Sequence, residues 1–257
     1  MSAVTKPAVN KLVVTKSFEI IPAIDLREGR VVRLKQGDYA QQTSYDADPR
    51  ALAQSYAAAG ARWLHLVDLD GARSGALDNL RVIEAIAADG MRVQAGGGVR
   101  TEADLRRLFD AGVWRVVLGS VAIRDPASVA GWLGTYGPER IALALDTRRI
   151  DGRWALPSAG WTELESRTLD ELAPWYAARG ARHLLCTDID RDGMLAGFNL
   201  DLYRHLAGIA PTLAIQASGG VRSPADIVAA RDAGAGAVIL GRALLEGKFE
   251  LAEALAC

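Results

Sequence analysis

Only two cysteines, Cys186 and Cys257, occur in the 257 residues of this chain. They are too few for a disulfide framework, and their spacing fits no metal site. Histidine is almost as scarce, at His65, His183 and His205. His65 and His183 fall near strand starts and His205 in a helix-like segment, so all three read as packing or surface residues. No arrangement of histidine with serine, cysteine or carboxylate reads as a nucleophilic triad or a metal cluster. The formal net charge is −1, which removes the electrostatic case for a nucleic acid or an anionic membrane as partner. No apolar run reaches the roughly 18 residues that a membrane span needs. The expectation left standing is a reduced, cytoplasmic enzyme, taken to be a monomer, with no metal site and with carboxylates as its candidates for acid–base work.

What the chain does have is half of itself twice. Val93–Ser120 reads VQAGGGVRTEADLRRLFDAGVWRVVLGS, and Ile215–Arg242 reads IQASGGVRSPADIVAARDAGAGAVILGR. The two align without a gap at an offset of 122 residues, with 14 of 28 positions identical. A repeat of this length implies two copies of one structural unit. Half of the residues are apolar, enough for a large core, and the length suits an α/β barrel of about 250 residues. Residues 1–17 stand apart, with Lys6, Lys11 and Lys16 and no acid. They read as a flexible extension ahead of a single domain over residues 18–257, since Leu12–Val14 is too short for a signal-peptide core.

Eight short runs rich in Val, Ile and Leu fit buried parallel strands. They are Glu19–Leu26, Trp63–Asp68, Arg92–Ala95, Val116–Gly119, Ile141–Asp146, His183–Thr187, Leu213–Ala217 and Ala237–Gly241. Segments with helical composition lie between and after them, at Pro49–Ala59, Leu77–Ala88, Glu102–Ala111, Ala127–Tyr136, Leu169–Arg179, Asp201–Leu206, Ala225–Ala233 and Phe249–Ala256. Thr101 with Asp104 resembles a capping box, and Ser223-Pro224 with Asp226 marks the matching helix start. Eight βα units built as a duplicated four predict a closed (β/α)8 TIM barrel of two half-barrels, with the open doubly wound sheet as rival.

Each copy carries a glycine turn after a strand and before a helix: Gly96-Gly97-Gly98 in the first and Ser218-Gly219-Gly220 in the second. Such turns let backbone N–H groups converge on an anion beside a helix N-terminus. Gly119-Ser120 and Gly241-Arg242, one strand later, would complete two cradles. Glycine could also serve only the tight turns, but a paired arrangement repeated twice points to a ligand with two phosphates.

Asp25 ends the first strand and Asp146 the fifth, at equivalent places in the two halves. Strand ends at the C-terminal face carry catalytic groups in this fold, and two facing carboxylates can divide acid and base roles. Either could instead cap the turn after its strand. Asp68 and Asp188 correspond in the same way and could hold substrate hydroxyls or orient arginines. Asp190 and Asp192 could form a solvated turn, an isolated Mg²⁺ site being the lesser alternative. Thr187 replaces Val67 at the mouth, a polar departure that favours a functional reading. Gly160-Trp161 lies in a long segment after the fifth strand that reads as a lid, where Trp161 could stack on a planar base or pack along the loop.

The motifs PAIDLREGRVVRLKQGDY, HLVDLDGA, GGGVRTEADL, LGS, LALD, GW, CTDIDRDG, ASGGV and LGRALLEGKF together resemble the phosphoribosylformimino-aminoimidazole carboxamide ribotide isomerase family of histidine biosynthesis. The resemblance runs from about Phe18 to the C-terminus in family order. It implies a cofactor-free Amadori rearrangement of an aminoaldose to an aminoketose, on a ribotide with two phosphates. It also implies that Asp25 accepts the C2′ proton and that Asp146 donates the proton that opens the ribose ring. Thr187 and Asp188 would orient the reacting ribose, Arg33 and Arg100 would reach phosphate or carboxamide, and Trp161 would stack on the imidazole. The sister cyclase subunit of imidazole glycerol phosphate synthase is disfavoured by Ala23 and by Leu240-Gly241-Arg242-Ala243. Dual activity on phosphoribosylanthranilate and a non-catalytic phosphosugar-binding barrel are the other readings.

Overall fold

The computed structural model describes residues 18–257, so the extension read over residues 1–17 lies outside the described residues. Eight parallel strands run in chain order: Glu19–Arg27, Trp63–Asp68, Arg92–Gly96, Arg115–Leu118, Ile141–Ala144, His183–Thr187, Ala214–Ser218 and Ala237–Leu240. The first pairs with the eighth from Glu19↔Ala237 to Pro22↔Leu240, which closes the ring and rules out the open sheet. All eight expected strands are present, two with the expected bounds and six with an end shifted by one or two residues.

Apolar residues face both ways along these strands, and two cores result. Ile24, Leu26, Leu64, Leu66, Leu118 and Leu143 point outward against the helices. Ile21, Ala23, Trp63, Val117, Ala142, Leu185 and Ile239 point inward and fill the barrel. A strand buried on both faces has no reason to alternate, which is why these segments are continuous apolar runs. Thr101 and Asp104 form the expected capping box at the helix Glu102–Asp110. Ser223 makes no side-chain cap bond, and Asp226 folds back to accept from the Arg222 N–H at 3.0 Å.

Two excursions were not expected from the sequence, and both sit on the barrel mouth. An antiparallel hairpin, Arg30–Lys35 and Asp38–Ser44, follows the first strand. The segment after the fifth strand, read as a lid loop, is instead a three-stranded antiparallel sheet of Arg148–Ile150, Arg153–Ser158 and Glu163–Thr168. They follow equivalent strands of the two halves. Two short helices, Ser120–Arg124 and Arg242–Leu245, also follow equivalent strands. Among the described residues no helix is long and apolar enough to cross a membrane.

Candidate active site

A cavity of about 260 Å³ opens at the C-terminal end of the barrel strands. Asp25, Asp146, Thr187, Trp161, Arg33 and Arg100 all line it, as do Gly97, Gly98, Gly119 and Ser120. Asp192 lines it too. From the second cradle it reaches Ser218 but not Gly219, Gly220, Gly241 or Arg242.

The two cradles share one backbone shape. Gly97 and Gly98 have φ of 103° and 82°, and Gly219 and Gly220 have 93° and 95°. This left-handed region is strained for any other residue. A Cβ on Gly97 would also collide with the Asp68 carbonyl, and one on Gly219 would lie 2.8 Å from the Asp188 carbonyl. Gly119 and Gly241 start their helices with matching angles, φ/ψ of −95°/−100° and −111°/−97°. The side chains differ. Ser120 Oγ accepts from the Ala159 N–H at 3.0 Å and so ties down the excursion after the fifth strand. Arg242 turns away to Glu246 at 2.6 Å and to the Gly193 carbonyl. The cation beside Gly241 is Arg33, whose guanidinium occupies the space a Cβ there would take.

Three aspartates face the cavity in three environments. Asp25 accepts from Arg33 Nη1 at 2.7 Å, with both side chains mostly covered. Burial pushes its carboxyl above the usual range, while the charge and hydrogen bond of Arg33 pull it back. Asp146 has both oxygens engaged, one by the Thr187 backbone N–H and one by Trp161 Nε1, each at 3.0 Å. Burial raises it, and these donors oppose the rise. Among the described residues Asp192 has no side-chain donor, and the Gly193 backbone N–H is the least of the influences on its proton. Burial pushes it up to about 7; Arg33 lowers it, and the nearby Asp25 and Asp146 charges raise it further. The reading of Asp190 and Asp192 as a solvated turn is therefore corrected for Asp192. Its chain neighbour Gly193 packs against the hairpin, where a Cβ would lie 3.3 Å from the Leu34 carbonyl. The contact folds the turn inward over the mouth. Among the described residues no group of three His, Cys, Asp or Glu is arranged to hold a metal ion.

Asp188 does not join this set. It is 4% exposed, and its oxygens accept from Asn199 Nδ2 at 2.6 Å and the Asp190 N–H at 3.1 Å. Asp68 makes the equivalent clasp, accepting from Asn79 Nδ2 at 2.6 Å and the Gly71 N–H at 2.9 Å. A clasp repeated in both halves shapes the turn after its strand, and Asp188 also lies 3.6 Å from Arg191 Nε. Arg100 is exposed at the edge of the cavity, with its guanidinium against Gly75. Trp161 holds a left-handed φ of 69°. Its ring packs on Gly37 at the tip of the hairpin, so the two excursions meet over the cavity.

The chain matches the family model described as histidine biosynthesis protein over residues 19–250. It is 56% identical to a protein of Stenotrophomonas maltophilia over 243 residues, covering 94% of this chain and all of the relative. Proteins of Xanthomonas campestris pv. campestris and Xanthomonas euvesicatoria pv. vesicatoria are 53% and 54% identical over the same shares. All three are named as imidazole-4-carboxamide isomerases, with two phosphoribosyl groups in the name of the compound.

Proposed function

The chain belongs to the histidine biosynthesis protein family, and from that membership we propose how its three cavity aspartates divide one reaction. The protein is an isomerase of histidine biosynthesis that converts an aldose to a ketose on an imidazole-4-carboxamide bearing two phosphoribosyl groups. We infer that the two glycine cradles take its two phosphates. Gly97, Gly98, Gly119 and Ser120 hold one at the open end of the cavity. Gly219, Gly220, Gly241 and Arg242 hold the other, with the Arg33 guanidinium beside Gly241 as its cation.

The observation that carries the mechanism is the contrast between Asp25 and Asp192. Asp25 is paired with Arg33 and works as an anion, hence as the base. Asp192 holds a proton up to about pH 7, because burial and the neighbouring Asp25 and Asp146 charges outweigh the Arg33 charge and the Gly193 backbone N–H that favour its anion, hence it is the acid. Asp192 gives its proton to the ribose ring oxygen as the C1′–O bond breaks, and the nitrogen lone pair forms a protonated Schiff base. That cation acidifies the C2′ proton enough for a carboxylate to remove it. Asp25 takes this proton, and the C–H electrons form the C1′=C2′ bond of an enaminol. Protonation at C1′ and loss of the hydroxyl proton from the oxygen on C2′ give the ketose. The iminium supplies the activation, so the route calls for no metal and no covalent nucleophile.

This reading moves the acid from Asp146, where the family resemblance put it, to Asp192. Asp146 accepts from two N–H groups, which favours its anion. Its part is to hold Trp161 over the cavity and to orient the ribose together with Thr187. Trp161 covers the imidazole, and Arg100 meets the substrate at the rim. Asp188 supports the turn that carries Asp192. The reading also takes the protein to be a cytoplasmic monomer. The test is to incubate Asp25→Asn, Asp146→Asn and Asp192→Asn with the aminoaldose and follow aminoketose formation against pH. Loss of turnover in Asp25→Asn and Asp192→Asn with substrate binding retained supports the assignment. Near-normal turnover in either overturns it.

A further inference from the structure

One buried titratable group at the cavity has no place in the mechanism so far. His65 is 6% exposed and lines the cavity floor. The strand register sets His65 beside Ala23 and Val67 beside Asp25. His65 is thus one inward-facing position below the base on the neighbouring strand, about 6.5 Å deeper along the barrel.

The surroundings fix its protons. Arg115 Nη1 donates to Gln94 Oε1 at 3.2 Å. A guanidinium cannot accept, so it sets which end of the Gln94 amide is the oxygen. Arg115 is itself held by the Glu139 carbonyl at 2.9 Å and by the Trp63 ring, 4.2 Å below its guanidinium carbon. Gln94 Nε2 then donates to Gln216 Oε1 at 2.8 Å, and Gln216 Nε2 donates back to Gln94 Oε1 at 3.2 Å. These two glutamines are equivalent residues of the two halves, meeting across the barrel as a reciprocal amide pair. The remaining Gln94 hydrogen points to His65 Nδ1 at 3.1 Å. Nδ1 therefore accepts, and a neutral ring must carry its hydrogen on Nε2, the nitrogen left open to the cavity. Burial, with the nearby Arg33 charge, pushes the imidazolium down to about 3, so the ring is neutral under working conditions.

We propose that His65, locked by Gln94 as the Nε2–H tautomer, donates a hydrogen bond to the oxygen on C2′ of the reacting ribose. That oxygen is bonded to the carbon from which Asp25 takes its proton, so it lies next to the base. It is a hydroxyl in the aldose, an enol in the intermediate and a carbonyl in the ketose. All three accept a hydrogen bond, so one fixed neutral donor serves every state, and no proton leaves His65. The duplication supports a functional reading. The positions equivalent to His65 and Arg115 in the other half are Leu185 and Ala237, and both pack in the inner core. The scaffold accommodates an apolar pair there, and only the half that carries the base has the donor and its anchor.

The proposal rests on the isomerase reading, and its test separates the two. ¹⁵N spectra of the labelled protein without substrate report the tautomer directly, with His65→Gln identifying the resonance. A protonated Nε2 and a bare Nδ1 are expected at neutral pH. In the Asp25→Asn background, adding the aminoaldose should then shift the Nε2 resonance. Gln94→Glu replaces the donor with an acceptor of the same shape, and should move the hydrogen to Nδ1 and lower kcat about 10²-fold with KM little changed. His65→Leu should lose a similar factor, while His65→Gln, which keeps an N–H near the Nε2 position, should recover about tenfold of it. If Gln94→Glu does not fold, the His65 pair and the wild-type spectrum still decide. A protonated Nδ1 in the wild type, an Nε2 resonance unmoved by the aminoaldose, or His65→Leu within twofold of wild-type kcat overturns the proposal. A wild-type protein inert toward the aminoaldose would instead overturn the isomerase reading and leave the tautomer result standing.

Discussion

Replacing Asp192 by Asn removes the cavity carboxyl that carries a proton near neutrality. At pH 7 a carboxyl titrating at about 7 is protonated in about half of the molecules. One at the ordinary value of 3.8 would be protonated in roughly one molecule in 10³. Burial thus raises the supply of acid several-hundred-fold, and the negative phosphates of a bound substrate push the same way. An amide of the same shape cannot give a proton to the ring oxygen, so kcat should fall about 10²–10⁴-fold. The diagnostic is the pH–rate profile of kcat/KM. In the wild type the rate rises as Asp25 loses its proton and falls as Asp192 loses its own through about pH 7. In Asp192→Asn the alkaline fall should vanish, and in Asp25→Asn the acid-side rise should vanish. Asp146→Asn should keep both limbs, whatever it loses in rate. An alkaline limb that survives in Asp192→Asn, or that disappears in Asp146→Asn, refutes the argument and returns the acid to Asp146.

Arg33→Met should move the acid-side limb to higher pH, because the charge and hydrogen bond that pull Asp25 down are lost; the same profile should show a raised KM from the missing phosphate cation. Trp161→Phe removes the 3.0 Å donor to Asp146 and keeps a ring over Gly37; stopped-flow binding should show faster substrate release with the alkaline limb unmoved. Asn199→Leu takes a 2.6 Å donor from the buried Asp188 and a cap from the helix Leu200–Ile209; urea unfolding should show a loss of about 2–3 kcal/mol, with KM per folded molecule nearly unchanged.

The barrel was legible because its strands are buried on both faces and its turns are written in glycine. Both are local signals: a continuous Val/Ile/Leu run and a Gly pair at a helix start. The hairpin strand Asp38–Ser44 and the strand Glu163–Thr168 were not legible, because most of their residues are exposed and no apolar alternation marks them. They become strands only where the barrel mouth gives them a surface to cross. The Asp188 clasp was not legible for a related reason. A strand-end aspartate looks the same in sequence whether it faces a ligand or clasps an asparagine eleven residues on, as Asp68 and Asp188 both do.

Asp192 was passed over because a run of Arg-Asp-Gly reads as solvated until the hairpin packs against it. One signal could have found it. At the offset of 120 that pairs Asp68 with Asp188, Asp192 falls on Ala72, and both residues line the cavity. The same comparison singles out His65 against Leu185 and Thr187 against Val67. A duplicated barrel makes matching positions in its two halves by default, so what recurs, such as the glycine cradles and the Asp–Asn clasps, serves both ends of the barrel mouth alike. The rearrangement treats the two ends of its substrate differently, since only one ribose opens. The groups that act on that ribose must therefore break the symmetry, and Asp192, His65 and Thr187 are cavity residues that do. Asp25 and Asp146 recur as a pair and owe their different roles to the unequal partners, Arg33 and Trp161, that the two excursions bring to them.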